Sequence, residues 1–342
     1  MLDLISIIYG FLASTRALLY KKGLMAGRRL PHPVISVGNL TVGGTGKTPF
    51  VAFLARLLQR SGYQPVILSR GYRGKFEHSS LLVSDGARIL CGPADCGDEP
   101  YLLAQQLSGV PILVGKNRYR TGRSLAGSFD RIIYLLDDGY QHLQLRRDLD
   151  ILLIDASDPF GNGRLVPAGR LREPLAAIER ADQIALTRSH LKDDLGKLMS
   201  TIREKNPTAP LFLFHHEAGA FVDLKSGERF NAGQFAGKSV IALAAVGNPQ
   251  VFLQDLQGLG MRIIDHFLFR DHHFYSQAQL DQVIKSRQEN GAQAIVTTAK
   301  DAVRLERLLF EQGQIFTMEI ETKTPDVQLY QSHLLTLIEN MS

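Results

Sequence analysis

Gly43, Gly44, Gly46, Lys47 and Thr48 fall together in the run VISVGNLTVGGTGKTPF, Val34 to Phe50, and their types suit the holding of a phosphate chain. Glycine lets successive backbone N–H groups turn toward one anion, and a helix starting there adds partial positive charge at the same spot. Lys47 is placed to reach the β- and γ-phosphates of a nucleotide, and the Thr48 hydroxyl to reach a magnesium ion. Thr41 stands where the usual phosphate-loop pattern has its first glycine, so Thr41, Val42 and Thr45 complete a loop whose GGTGKT core is intact. The alternative is an ordinary glycine-rich turn between a strand and a helix.

Carboxylates form the second set. The apolar run Ile132 to Leu136 ends in Asp137 and Asp138, a strand delivering one carboxylate toward a magnesium shell. In GDEP, Asp98 and Glu99 precede a helix from Tyr101 to Leu107, where Asp98 could equally be a simple helix cap. Asp271, His272 and His273 in FRDHHFYS offer an acid–base or metal element, although two adjacent histidines alone favour a polar loop. Basic residues make the third set: Arg70 and Arg73 flanking Tyr72, then Asn117 and Arg118 in GKNRYRTGR, then Arg164, Arg170 and Arg172 with Glu173. Each loop suits an anionic ligand, and each is also what a solvated basic turn looks like.

These side chains need a scaffold, and the hydrophobic pattern supplies one. Val34 to Val37 reads as a buried strand, Gly38 to Gly46 as the loop, and Thr48 to Arg60 as a helix with Pro49 in its first turn. Further strands are expected at Val66 to Ser69, Val110 to Val114, Ile132 to Leu136, Asp150 to Ile154 and Ile184 to Thr187, alternating with helices. That rhythm predicts an α/β fold with a mainly parallel, doubly wound sheet covered on both faces. From Leu211 the rhythm changes: Leu211 to His215 and Ala220 to Leu224 read as a hairpin or two-stranded connection, with Lys225 to Glu228 as a turn. Strands at 239–244, 262–267, 294–297 and 315–319 then make a smaller α/β unit. The expected division is 1–25, 26–213 and 214–342, with the last helix a candidate to pack back on the middle part.

A chain of 342 residues that is 44% hydrophobic can bury two cores. Cys91 and Cys96 have neither CxxC spacing nor a second pair, which argues against zinc and a disulfide framework. The formal net charge of +5 suits an acidic partner without choosing among lipid, nucleotide and nucleic acid. At the N-terminus, Asp3, Ser6, Gly10, Ser14 and Lys21 share one helical stripe and leave a wide apolar face. The run Leu4 to Thr15 before Arg16 falls short of the roughly 20 residues a bilayer span needs. The acidic start and the lack of a small-residue cleavage site argue against a signal peptide. Arg16, Lys21, Lys22, Arg28 and Arg29 suit anionic headgroups beside the apolar face, so an interfacial helix is favoured over one packed on the protein's own core.

Taken together, the motifs resemble the tetraacyldisaccharide 4'-kinases, over nearly the whole chain. The resemblance is carried by SVGNLTVGGTGKTP at 36–49, LSRGYRG at 68–74, GDEP at 97–100, DDGYQH at 137–142, GRLREP at 169–174, FRDHH at 269–273 and TAKDAVRL at 298–305, in that order. One departure is Ala299, where such proteins often carry glutamate; Thr41 is not a departure, because loops of this family look alike there. The resemblance implies a P-loop NTPase-type kinase domain joined by a two-stranded hinge to a smaller C-terminal α/β domain. It further implies ATP and Mg2+, and transfer of phosphate to the 4'-hydroxyl of a tetraacyl disaccharide 1-phosphate, a lipid A precursor. The product would be the 1,4'-bisphosphate, made at the cytoplasmic face of a bacterial inner membrane with peripheral membrane contact and no nucleic acid. On that reading Lys47 is catalytic, Asp98 takes the hydroxyl proton and a histidine of the DHH element, His272 or else His273, assists it. Thr48, Asp138 and Glu99 serve the metal, and Arg70, Tyr72, Asn117, Arg118, Arg170, Arg172 and Glu173 the lipid. The alternative is a membrane-associated P-loop ATPase switch, although Val42 stands where such switches usually carry lysine. A GTPase is disfavoured because no NKxD tetrapeptide occurs.

Overall fold

A computed structural model describes residues 2–191 and 194–341. In chain order the first half contains α1 (Leu2–Lys21), β1 (Val34–Asn39), α2 (Lys47–Arg60), β2 (Gln64–Ser69), β3 (Leu81–Asp85), α3 (Pro93–Cys96), α4 (Asp98–Gln106), β4 (Pro111–Val114), α5 (Arg118–Arg123), β5 (Ile132–Asp137), β6 (Leu149–Asp155) and β7 (Gln183–Thr187). The second half continues with α6 (Gly196–Lys205), β8 (Leu211–Leu213), β9 (His215–Asp223), β10 (Arg229–Asn231), β11 (Ser239–Ala244), α7 (Pro249–Gly258), β12 (Arg262–Leu268), α8 (Gln277–Glu289), β13 (Ala294–Thr298), α9 (Ala299–Leu305), β14 (Ile315–Lys323) and α10 (Val327–Glu339). The chain forms two compact units: residues 1–216 with 322–342, and residues 217–321.

The first unit is built on a sheet of strand order β3-β4-β2-β5-β1-β6-β7-β8, parallel except where β3 runs against β4. The strand β1 is buried along its whole length, which is why its sequence is nearly continuous in apolar and small residues. On one face Ile35 and Val37 pack with Phe50, Leu54 and Leu58 of α2 and Leu103 of α4; on the other Val34 packs with Leu30, Tyr134 and Leu145. The C-terminal helix α10 belongs to this unit. Its Tyr330 ring lies 5.9 Å from Phe53 and 5.1 Å from both Phe212 and Phe214.

Two expectations are corrected. Leu211–Leu213 does not pair with Ala220 to Leu224; it runs parallel to β7 as the last strand of the first sheet. The antiparallel pair is β9 with β10, joined across the expected turn at 225–228. The chain leaves the first sheet at Phe214, whose fully buried ring anchors it among Phe50 and Tyr330. The second correction concerns α1: at 20 residues it is long and apolar enough to cross a membrane by length and composition, which the run Leu4 to Thr15 did not suggest.

The helix α1 is also built inside out. Only Ser6 and Gly10 are buried, while Leu4, Ile7 and Phe11 are 63%, 67% and 70% exposed. The Ser6 hydroxyl donates to Leu165 O at 3.0 Å and accepts from Ala168 N at 3.0 Å, and Asp3 pairs with Arg164 at 3.1 Å. Thus the polar stripe meets the protein and the apolar face does not.

The six-stranded sheet has the order β10-β9-β14-β13-β11-β12, with β11 to β14 parallel. The chain passes between units within β9 and again within β14, two strands that are neighbours in that sheet. In the second unit, Phe221 stacks on Phe235 at 4.1 Å inside a core with Val240, Phe252 and Met318.

Candidate active site

The parallel register sets the site. β1 lies between β5 and β6, with Val37 level with Asp137, so the loop leaving β1 emerges beside the acidic end of β5. Lys47 opens α2 and its Nζ donates to Asn39 Oδ1 at 3.0 Å and lies 3.5 Å from Asp138 Oδ1. Asn39 in turn donates to Thr41 O at 2.8 Å, fixing the start of the loop. Arg172 Nη1 donates to both Asp138 oxygens, at 2.8 and 2.7 Å. Burial alone would raise the Asp138 pKa, but Lys47 and Arg172 outweigh it and hold the carboxyl well below the usual range.

Asp137 behaves oppositely. Burial pushes its pKa up, and the nearby charges of Glu99 and Asp138 push it further, against the Ser69 hydroxyl, which donates to Oδ2 at 2.8 Å. Its Oδ1 is buried with no hydrogen-bond partner among the described residues. An orphaned Asp137 oxygen, with the Asp138 and Glu99 carboxylates near enough to act on it, is a hard, all-oxygen donor set that fits Mg2+. No group of three His, Cys, Asp or Glu forms a metal cage among the described residues, so an ion here would draw further ligands from phosphate and water.

The loop is braced by residues distant in sequence. Arg170 Nη2 and Nε donate to Val42 O at 3.0 and 3.2 Å, and Val42 N donates back to Arg170 O at 2.7 Å. Arg170 also pairs with Asp158, and Arg188 pairs with Asp155 while donating to Gly44 O at 3.1 Å. Thr187 Oγ1 donates to Thr45 O at 3.1 Å. Gly46 has φ 78, and a Cβ there would fall 2.1 Å from His216 Nε2. Burial, with Arg188 nearby, pushes the His216 pKa down to about 3.

The other expected site residues are placed as follows. Gly97, φ 89, occupies the cap position of α4, so Asp98 stands in the first turn rather than capping it. A Cβ on Gly97 would lie 2.7 Å from Tyr72 O, which shows how tightly the turn bearing Arg70 and Tyr72 is pressed against the segment bearing Asp98 and Glu99. Arg70 is held by Glu77 at 2.6 Å. Arg118 is buried, its pKa pushed down to about 10 by burial against the opposing pull of Asp137 and Asp138. Asn117 caps α5, accepting from Arg120 N at 3.1 Å. Glu173 is buried, and both its oxygens are engaged, by Arg180 at 2.6 and 3.0 Å and by Gln141 at 3.0 Å. Arg170, Arg172 and Glu173, expected at the lipid, therefore lie against the loop, Asp138 and Gln141.

In the second unit, His272 has φ 63 and its Nδ1 lies 3.2 Å from Arg304 Nη2. His273 stacks on Phe269 at 4.5 Å and its Nε2 meets Gln279 Oε1 at 3.0 Å. Arg188 and His216 escaped the sequence reading because no local pattern marks them, and Asn39 and Gln141, inside quoted motifs, because a motif does not show which partners they bind.

A glycine-rich loop between a central parallel strand and a helix, with a lysine shared by that strand and a neighbouring acidic strand end, defines a P-loop phosphotransferase site. The family model described as tetraacyldisaccharide-1-P 4'-kinase matches residues 1–339, and the chain belongs to that family. This makes it a kinase rather than an ATPase switch. The tetraacyldisaccharide 4'-kinase of Pelobacter propionicus is 39% identical over 300 residues, covering 88% of this chain and 81% of that protein. That of Geobacter metallireducens is 38% identical over 326 residues, covering 95% and 94%. The crystal structure of LpxK from Aquifex aeolicus in complex with ATP matches with a TM-score of 0.77 at 32% identity, covering 98% of this chain and 97% of that one.

Proposed function

We propose that this chain transfers the γ-phosphoryl group of ATP to the 4'-hydroxyl of a tetraacyl disaccharide 1-phosphate, working peripherally at the cytoplasmic face of a bacterial inner membrane. The observation that carries the reading is Lys47 held between Asn39 and Asp138 at the mouth of the phosphate loop, in a member of this family. Lys47 and the loop from Thr41 to Thr48 take the triphosphate. Thr48, Asp138 and Glu99 would hold Mg2+, which would neutralise charge on the phosphate oxygens.

Asp98 accepts the proton of the 4'-hydroxyl as its oxygen forms a bond to the γ-phosphorus, and the bond from that phosphorus to the leaving oxygen of ADP breaks. His272 assists Asp98. Both histidines are engaged, His272 with Arg304 and His273 with Phe269 and Gln279, so the variants below decide between them. Arg70, Tyr72, Asn117 and Arg118 take the anionic glycolipid, while Arg170 braces the loop at Val42 and Arg172 holds Asp138. Membrane contact is supported by the outward apolar face of α1.

The test is a kinetic cycle on Asp98 and His272. Asp98→Ala should cut kcat about 10²-fold or more with little change in KM for ATP, and Asp98→Ala with His272→Ala should lose scarcely more. Additive losses would mean the two residues act separately, and a folded Asp98→Ala enzyme with normal kcat would remove Asp98 from the mechanism.

A further inference from the structure

The TAKDAVRL segment of the second unit carries a fully buried ion pair, Asp301 with Arg304. Asp301 and Arg304 are 0% and 3% exposed. Asp301 Oδ2 accepts from Ala245 N at 2.9 Å and from the Thr298 hydroxyl at 2.7 Å, and its Oδ1 accepts from Arg304 Nη1 at 3.1 Å. Arg304 Nη1 also donates to Ala245 O at 3.3 Å, the same carbonyl that accepts from His272 N at 3.4 Å. A buried guanidinium tied down on one edge has its other edge fixed in direction. That edge is Nη2, 3.2 Å from His272 Nδ1.

A guanidinium has donors and no acceptor, and it stays protonated in proteins. His272 Nδ1 must therefore accept, which in a neutral imidazole places the proton on Nε2. A proton on Nδ1 would set two N–H groups against each other. Nε2 lies 3.9 Å from Asp271 Oδ1, on the side away from the guanidinium. We propose that Arg304, aligned by Asp301, is a positioning residue that locks His272 in the neutral Nε2–H tautomer. His272 then assists Asp98 as a hydrogen-bond donor from Nε2. This role rests on the reading of His272 as a residue of the reaction; the tautomer does not.

Nitrogen-15 imidazole spectra of the full-length protein, with His272 assigned by its loss in His272→Gln, should show a protonated Nε2 and an unprotonated Nδ1. An Nδ1–H tautomer or an imidazolium at neutral pH would overturn the proposal. In kinetics, His272→Gln, whose side-chain amide can donate from about the Nε2 position, should retain clearly more kcat than His272→Ala. Equal losses would overturn the donor role, and full activity in His272→Ala would instead overturn the assignment of His272 to the reaction while leaving the tautomer standing. Arg304→Met should cut kcat by about 10²-fold with KM for ATP little changed and yield the second tautomer in the spectrum. Arg304→Lys, which keeps a donor, should restore the tautomer more than the rate. If Arg304→Met fails to fold, the wild-type spectrum and the Gln/Ala comparison decide.

Discussion

Two regions of the first unit invert the ordinary rule of burial, in opposite ways. At the phosphate loop, charged groups are drawn inward: Arg118 and Asp137 are buried, and Asp138, Lys47 and Arg172 share one cluster. Along α1, apolar groups are pushed outward, and a serine and a glycine take the buried places. Buried charge is stabilising only when partners are supplied, and an exposed apolar face only when something apolar covers it. In the loop the partners are in the chain, except at Asp137 Oδ1 and Arg118 Nε among the described residues. On α1 they are not. The first region therefore suits a small, charged ligand, and the proposed membrane contact would cover the second.

The sharpest way to break the contrast is at Lys47. Lys47→Ala should lower the transfer rate by about 10²- to 10³-fold while the melting temperature stays within a few degrees, because Arg172 remains to pair Asp138. A folded variant with near-normal turnover would show that the cluster is structural. Gly46→Ala comes next. Its φ of 78 strains any L side chain, and the new Cβ must displace His216, so KM for ATP should rise by about 10-fold in titrations with a nucleotide analogue and with ATP. Unchanged nucleotide binding would mean the loop opens there without cost.

For the apolar region, Ile7→Ser with Phe11→Ser should shift the protein several-fold toward the soluble fraction and raise KM for lipid more than for ATP. Thermal stability should hardly change, since both side chains already face outward. High salt should release only part of the wild type, because screening acts on the basic residues and not on the apolar ones. A large fall in melting temperature would show that α1 packs on protein instead.

The smallest effect is a pH slope. His216 stays neutral in the fold down to about pH 3, whereas its unfolded imidazole takes a proton near 6.5. Between those values the unfolded state binds the extra proton, so this residue makes stability fall as pH drops from 6.5, by at most about 1.4 kcal/mol per pH unit. His216→Gln should show a shallower loss in denaturant midpoints between pH 7 and 5. An identical slope would mean that His216 is solvated and titrates normally in the fold.

The same two regions show what a sequence exposes to reading. Gly43 to Thr48 and the run ending in Asp137 and Asp138 were legible because strand, loop and helix follow one another locally and each residue type has one strong reason to be there. The amphipathic pattern of α1 was legible too, but not which face is buried, since that depends on Leu165 and Ala168, far along the chain. Arg170 and Arg172 were seen as anion-binding residues, yet Val42 and Asp138 claim them through contacts that periodicity does not encode. Phe214 turning the chain out of the first sheet, and α10 returning to it, were settled by burial of aromatic rings rather than by any turn signal.

The central claim is that both inversions serve a single transfer, from a nucleotide in the loop to a lipid beside α1. The most direct measurement incubates γ-labelled ATP and Mg2+ with the protein and vesicles containing a tetraacyl disaccharide 1-phosphate, then maps the label on the recovered lipid. The account predicts label at the 4' position, lost in Lys47→Ala and reduced in the Ile7→Ser, Phe11→Ser variant. Label released only as free phosphate, with the lipid unmodified, would contradict it.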